Sequence, residues 1–441
     1  MAEIRPFKGL RYNTKRIKLE EVITEPYDRI PPPLQEEYYR RNLYNVVRII
    51  LGKDDDREHP EKDKYQRAKV YLDKWESEGI LIREDQNALY LYEQEFKVGN
   101  EQKKRIGLIA RVKLEEFSSR KILPHEKTFP KHKIDRLNLL RATNTNTGQI
   151  FLLYKDDNKN VSQSIKKALV KAELGTEVRD EDNFHHLLWV IKDREAIRAI
   201  QEAMADRVLI IADGHHRYET SLNYRKEVIE KIEEVKGNEP FNYMMMTLFP
   251  LDDPGLVILP THRLVRGLDK LSNEGLKKLF HLYFEISEID WPNISDLSIL
   301  EEAQKRVLDG THIFAAYVSE LKKFFIFRLK SEDILDSEIT EEKSKEWKCL
   351  DVAILHSLII DKLEALSSEP FSLENNVSYI RKLDQGVKKV FDGEYQMIFL
   401  LKPVSLFQIR QVVENGELMP QKSTDFFPKL KSGLVMNPLD E

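Results

Sequence analysis

The strongest constraint on this chain is the run Arg207-Val208-Leu209-Ile210-Ile211-Ala212-Asp213-Gly214-His215-His216-Arg217, where an apolar strand passes straight into Asp-Gly and then a helix. Ligands gather at such strand C-termini in open α/β sheets. Gly214 permits close backbone approach, and the N–H groups that open the next helix suit an anion such as phosphate. A purely structural account has Asp213 capping the helix and the histidines filling polar positions. That account does not explain two adjacent histidines and an arginine at a helix N-terminus, where positive charge opposes the helix dipole. The turn is therefore read as the centre of a small-molecule or phosphate-binding site.

Short runs rich in β-branched and aromatic residues alternate with amphipathic segments along the chain, which predicts a mixed α/β (α+β) fold. Strands are expected at 44–51, 88–96, 106–112, 149–154, 186–191, 208–212, 243–249 and 256–259, then at 284–289, 312–318, 324–329 and 396–401. Helices are expected at 64–78, 162–174, 194–205, 217–234, 298–308 and 350–366, with Tyr218, Leu222, Ile229 and Ile232 on one face of the fourth. At 441 residues the chain is too long for one ordinary core. Pro254 and Gly255 beside Asp252 and Asp253 mark a boundary, so the expected domains are 1–250, an N-terminal α/β region with the catalytic core, and 251–441, a C-terminal α/β domain.

Seventy Lys plus Arg against 75 Asp plus Glu leave a net charge of -5, which provides no general attraction for nucleic acid or an anionic membrane. A single cysteine, Cys349, excludes an intrachain disulfide and a multi-thiolate zinc site, and fits a reducing cytoplasm. No apolar stretch reads as a signal sequence or a membrane span, so a cytoplasmic protein is expected.

A second polar cluster is Pro124-His125-Glu126-Lys127-Thr128, followed by Lys131, Lys133, Arg136 and Arg141. His125 and Glu126 could supply a general base or a metal ligand, and the cations could clamp phosphate oxygens. A solvated charged loop is the alternative. Thr261, His262 and Arg263 end another apolar strand with donors suited to a substrate. The patch 419–424, with Lys429 and Lys431 beyond it, reads as a local turn with lysines facing water. Asp28 is kept as an outlying site member. The chain lacks Gly-x-Gly-x-x-Gly, Gly-x-x-x-x-Gly-Lys, His-Glu-x-x-His and Gly-x-Ser-x-Gly. Standard dinucleotide, P-loop, zincin and α/β-hydrolase sites therefore lack their mechanical parts.

With Ile-Ala-Asp-Gly-His-His-Arg-Tyr-Glu-Thr at 211–220, Pro-His-Glu-Lys-Thr at 124–128, Pro-Thr-His-Arg at 260–263 and Met-Pro-Gln-Lys-Ser-Thr at 419–424, the chain resembles a conserved, uncharacterised family of bacteria and archaea. Locally, the Asp-Gly-His-x-Arg turn is similar to the ParB/sulfiredoxin-like superfamily, which includes chromosome-partition CTPases, sulfiredoxins and archaeal ADP-dependent free-serine kinases. This resemblance implies a ParB/sulfiredoxin-like core with an additional C-terminal domain. It gives Glu126 the role of base, with His125 or His215 assisting. By position it gives Asp213, Gly214, His215 and Arg217 the phosphates of ADP or ATP with Mg²⁺; His216, Lys131 and Arg136 add donors for the phosphates, and Thr261, His262 and Arg263 are read as substrate-binding. His216 replaces a smaller residue, and 251–441 has no counterpart in the small kinases.

The leading expectation is a nucleotide-dependent phosphotransferase acting on a small hydroxyl compound, with free serine or phosphoserine as substrate. One alternative is a metal-dependent phosphatase or hydrolase with Asp213, His215, His216 and His125 as ligands. Another is a ParB-like nucleotide-binding module without catalysis. The expected partners are a nucleotide and a small molecule, with neither membrane nor nucleic acid. The C-terminal region would close over the site or form a homodimer contact.

Overall fold

The computed structural model describes residues 2–54, 63–126, 133–269, 271–292 and 295–440. The chain forms two compact units: 1–124, 128–256 and 428–441 in unit 1, and 125–127 with 257–427 in unit 2.

Unit 1 is built on a nine-stranded mixed sheet. Its strands are β1 (Ile4–Arg5), β2 (Leu89–Val98), β3 (Glu101–Lys113), β4 (Ile122–Pro124), β5 (Ile150–Tyr154), β6 (Glu173–Arg179), β7 (His185–Ile191), β8 (Leu209–Asp213) and β9 (Tyr243–Pro250). They lie in the order β4-β8-β5-β9-β3-β2-β7-β6, with β1 also on β3. The β8–β4 and β9–β5 pairs are parallel and the others antiparallel. The helices used below are α1 (Lys64–Ser77), α2 (Lys133–Thr143), α3 (Asn160–Leu169), α4 (Arg194–Met204) and α5 (His215–Ile229).

Side chains alternate across a sheet, and β3 shows what each face meets. Leu108, Ala110 and Val112 belong to a core shared with Val161, Ile165, Ile197, Ile200, Tyr218 and Leu222 of α3, α4 and α5. On the opposite face, Arg105 and Arg111 donate to the carbonyls of Pro428 and Pro438 in the C-terminal segment. Gly107 leaves room there for Phe249: an added Cβ would lie 2.4 Å from the ring.

Unit 2 carries a six-stranded antiparallel sheet of β10 (His262–Val265), β11 (Phe284–Asp290), β12 (Ile313–Val318), β13 (Lys323–Leu329), β14 (Val377–Ile380) and β15 (Met397–Leu400), in the order β11-β13-β12-β15-β10-β14. Leu300, Ala303 and Val307 of α6 (Leu297–Asp309) and Leu383, Val387 and Val390 of α7 (Leu383–Phe391) pack on its core.

The mixed α/β fold matches the expectation, and three local expectations are corrected. The segment 44–51 is not a strand; Val47–Ile50 is a helical turn, with the Val47 N–H bonded to Asn45 Oδ1 at 3.0 Å. All four of its residues are buried, so its apolar run carried no alternation from which to choose a period. The helix expected at 162–174 ends at Leu169 because β6 begins at Glu173. Helix α5 ends at Ile229, and Ile229 and Ile232 of its expected apolar stripe are exposed while Tyr218 and Leu222 are buried. No described helix is long and apolar enough to cross a membrane.

Candidate functional site

Strand β8 pairs with β5 until its register shifts: Ile211 faces Leu152, whereas Asp213, not Ala212, faces Phe151. The extra residue is a bulge, a device that re-aims the side chain that follows it. Gly214 then adopts φ +95°, in the left-handed region, and opens α5 with no side-chain cap on the helix. Asp213 stands one residue before that N-cap. Its Oδ2 accepts from Arg217 Nη2 at 2.9 Å and its Oδ1 from Lys429 Nζ at 3.0 Å. Burial alone would raise this carboxyl, but Lys429 and Arg217, with Arg29 behind them, hold it far below the usual carboxylate range. Arg217 also donates to the Gln149 carbonyl.

Arg217 lines a cleft in unit 1 with Tyr27, Arg136, Thr145–Gly148, Thr220 and Ser432, over Ile50, Leu139, Leu140 and Met244. The Arg136 guanidinium lies 4.0 Å from the Tyr27 ring centre and donates to the Ile50 carbonyl at 2.6 Å. Two guanidinium groups, small polar side chains and an apolar floor suit a small anionic ligand with an apolar body. Arg141 instead forms an exposed ion pair with Glu227 of α5. His215 and His216 are half-buried in the first turn of α5. Lys131, Lys127 and Thr128 lie outside the described residues.

The other described site residues belong to unit 2. Glu126 Oε1 accepts from the Thr424 N–H at 3.1 Å and from its hydroxyl at 2.9 Å, and His125 Nε2 is 2.7 Å from the same hydroxyl. Arg263 is buried, donates to the carbonyls of Thr261 and Lys422 and to His356 Nε2, and lies over the Tyr379 ring at 4.9 Å. Burial pushes its pKa down to about 10, against the stabilising charges of Tyr379 and Glu126. His262 is buried, its Nδ1 accepting from the Leu401 N–H, and burial, then Arg263, lowers it to about 4.

Lys429 and Lys431, expected to face water, are buried. Lys429 bonds Asp213, and Lys431 bonds Glu25 and lies 2.9 Å from Asp180. Thr424, expected to bond within its own turn, reaches Glu126 across the sequence, while Ser423 does bond locally to Pro420. No periodicity or spacing signals such partners, because they are set by chain return. Among the described residues no group of three or more His, Cys, Asp or Glu is gathered to hold a metal.

Fold and site define a mixed α/β protein whose strand–turn–helix carries an Asp–Arg–Lys charge cluster beside a polar cleft. Residues 4–353 match the family described as Protein of unknown function (DUF1015), and the chain belongs to that family. No curated protein matches its sequence. Similar solved structures include a conserved hypothetical protein from Pyrococcus furiosus, at 13% identity and TM-score 0.31, covering 69% of this chain and 87% of that one. A free serine kinase in complex with AMP is similar at 13% identity and TM-score 0.32, over 69% of this chain and 83% of that chain. SbnI from Staphylococcus aureus, with a C-terminal truncation, is similar at 11% identity and TM-score 0.34, over 75% and 87%.

Proposed function

We propose that this protein is a nucleotide-dependent phosphotransferase, built on a ParB/sulfiredoxin-like core, that moves a phosphoryl group between ADP or ATP and a small hydroxyl compound, free serine or phosphoserine. The observation that carries the reading is the start of α5. A helix N-terminus opened by Gly214, whose first N–H groups have no intrahelical acceptor, adjoins Arg217 and a cleft that also holds Arg136. Such a terminus favours phosphate oxygens through both its donors and its dipole.

In this reading Arg217 and Arg136 hold phosphate oxygens, with His215 and His216 in the same turn. Glu126 takes the hydroxyl proton as the substrate oxygen bonds to phosphorus, and the bond to the leaving nucleotide oxygen breaks. Mg²⁺ on the phosphates would offset their charge. It would be carried chiefly by the phosphates themselves, because both oxygens of Asp213 are taken by Arg217 and Lys429. Thr261, His262 and Arg263 belong to the substrate side.

Thermal-shift measurements with ADP, ATP and phosphoserine, each with and without Mg²⁺, test the reading on wild type and Arg217→Ala. It expects a nucleotide-dependent rise in the wild-type midpoint that is lost in the variant. No rise with any nucleotide would sink it. Binding without any transfer to serine would leave a nucleotide-binding module.

A further inference from the structure

The segment Pro428–Asp440 returns to unit 1 after the whole of unit 2. Backbone bonds stitch it down: Ser432 exchanges with Thr24 at 2.9 and 3.2 Å, Met436 with Leu10 at 2.9 Å both ways, and the Leu439 N–H bonds the Asn144 carbonyl. Asn437–Pro438 pairs with Thr145–Asn146. Thr145, Asn146 and Ser432 all line the cleft that Arg217 enters. The segment lies beyond the family-matched residues 4–353.

A strap so secured by its backbone does not need a buried lysine to hold it, and burying an ammonium group is costly unless it is paired. Lys429 is 7% exposed, and its Nζ meets Asp213 Oδ1 while Arg217 meets Oδ2. Arg217 and Asp213 alone would cancel in charge, and without Lys429 on Oδ1 the carboxylate would draw the Arg217 guanidinium onto both its oxygens. With Lys429 on one oxygen, the cluster keeps a net positive charge and Arg217 keeps donors for a ligand.

We propose that Lys429 is a positioning residue of the anion site, acting through Asp213 to keep Arg217 available to a phosphate-bearing ligand, so that the C-terminal segment is an integral part of that site. The inference rests on the phosphate reading of the turn.

Calorimetric titration of the full chain with ADP, without divalent metal, compares wild type, Lys429→Met, Lys429→Arg and the double variant Asp213→Asn/Lys429→Met. Lys429→Gln replaces Lys429→Met should the latter unfold. We expect Lys429→Met to weaken ADP about tenfold or more, as loss of a charge-assisted contact would, and Lys429→Arg to stay near wild type. The double variant should recover to within about threefold, because a neutral residue 213 no longer absorbs Arg217. Wild-type affinity in Lys429→Met, or no recovery in the double variant, would overturn the positioning role. Hydrogen exchange provides a reading without ligand. Residues 213–218 should exchange faster in Lys429→Met while 89–113 stay unchanged, and unaltered exchange at 213–218 would also overturn the role. If wild type binds no ADP, the proposed function fails, and the exchange result alone decides the role of Lys429.

Discussion

A Cβ added to Gly214 would stand 3.1 Å from both Nε and Nη2 of Arg217. Gly214→Ala is therefore doubly opposed, by φ +95° and by the guanidinium. Strain of this kind costs about 1–3 kcal/mol, so denaturant unfolding should show a loss in that range, and ADP binding should weaken. Gly393 has φ +82° with nothing within 4 Å of an added Cβ. Gly393→Ala should show the backbone cost and leave ADP binding intact.

Glu126→Gln should lower phosphoryl transfer about a hundredfold or more, the usual worth of a positioned base, with ADP affinity unchanged by calorimetry. Thr424→Val removes the hydroxyl that donates to Glu126 at 2.9 Å. It should reduce kcat more than KM, because it disturbs the base and not the bound substrate. Full activity in Glu126→Gln would show that another group takes the proton.

Arg136 couples the cleft to Tyr27 and the Ile50 carbonyl. Arg136→Lys keeps the charge but loses the planar stack and the fork of donors, so the thermal shift produced by ADP should shrink. Tyr27→Leu should have a smaller effect on the same shift, because it removes the stacking ring and leaves the guanidinium. An undiminished shift in Arg136→Lys would remove Arg136 from the site.

His262 is buried and His356 half-buried, and both are held neutral, desolvation and then Arg263 lowering them to about 4 and about 3. In the unfolded chain both titrate near the ordinary histidine value of about 6.5. Between that value and the folded ones the unfolded state binds more protons, so stability falls as pH falls from about 6.5 toward 4. For His262 the full effect is on the order of 3 kcal/mol. Denaturation midpoints measured from pH 7 to pH 4 should show the decline, and His262→Gln should flatten it. An equally steep decline in that variant would assign the loss to other groups.

The strand–turn–helix at 207–217 was legible because its signals are local: a β-branched run, an Asp-Gly pair, then a helical pattern. The bulge at Ala212 was not, since it exists only in the pairing with β5. Asp213 illustrates the difference. Sequence makes it a capping candidate, whereas the structure shows its carboxylate between two cations. The run 44–51 failed for the opposite reason, because burial on every side erased the alternation that separates strand from helix.

By itself the sequence determined the mixed α/β class, most sheet strands and the strand–turn–helix at 207–217, because hydrophobic period and turn chemistry are properties of neighbouring residues. Only the tertiary structure decided that Lys429 and Lys431 are buried in ion pairs, that Thr424 holds Glu126, and that the last segment rejoins unit 1. Those partners are separated by about two hundred to four hundred residues. Meeting across such a separation depends on how the chain returns, and nothing in the local pattern at either end records it.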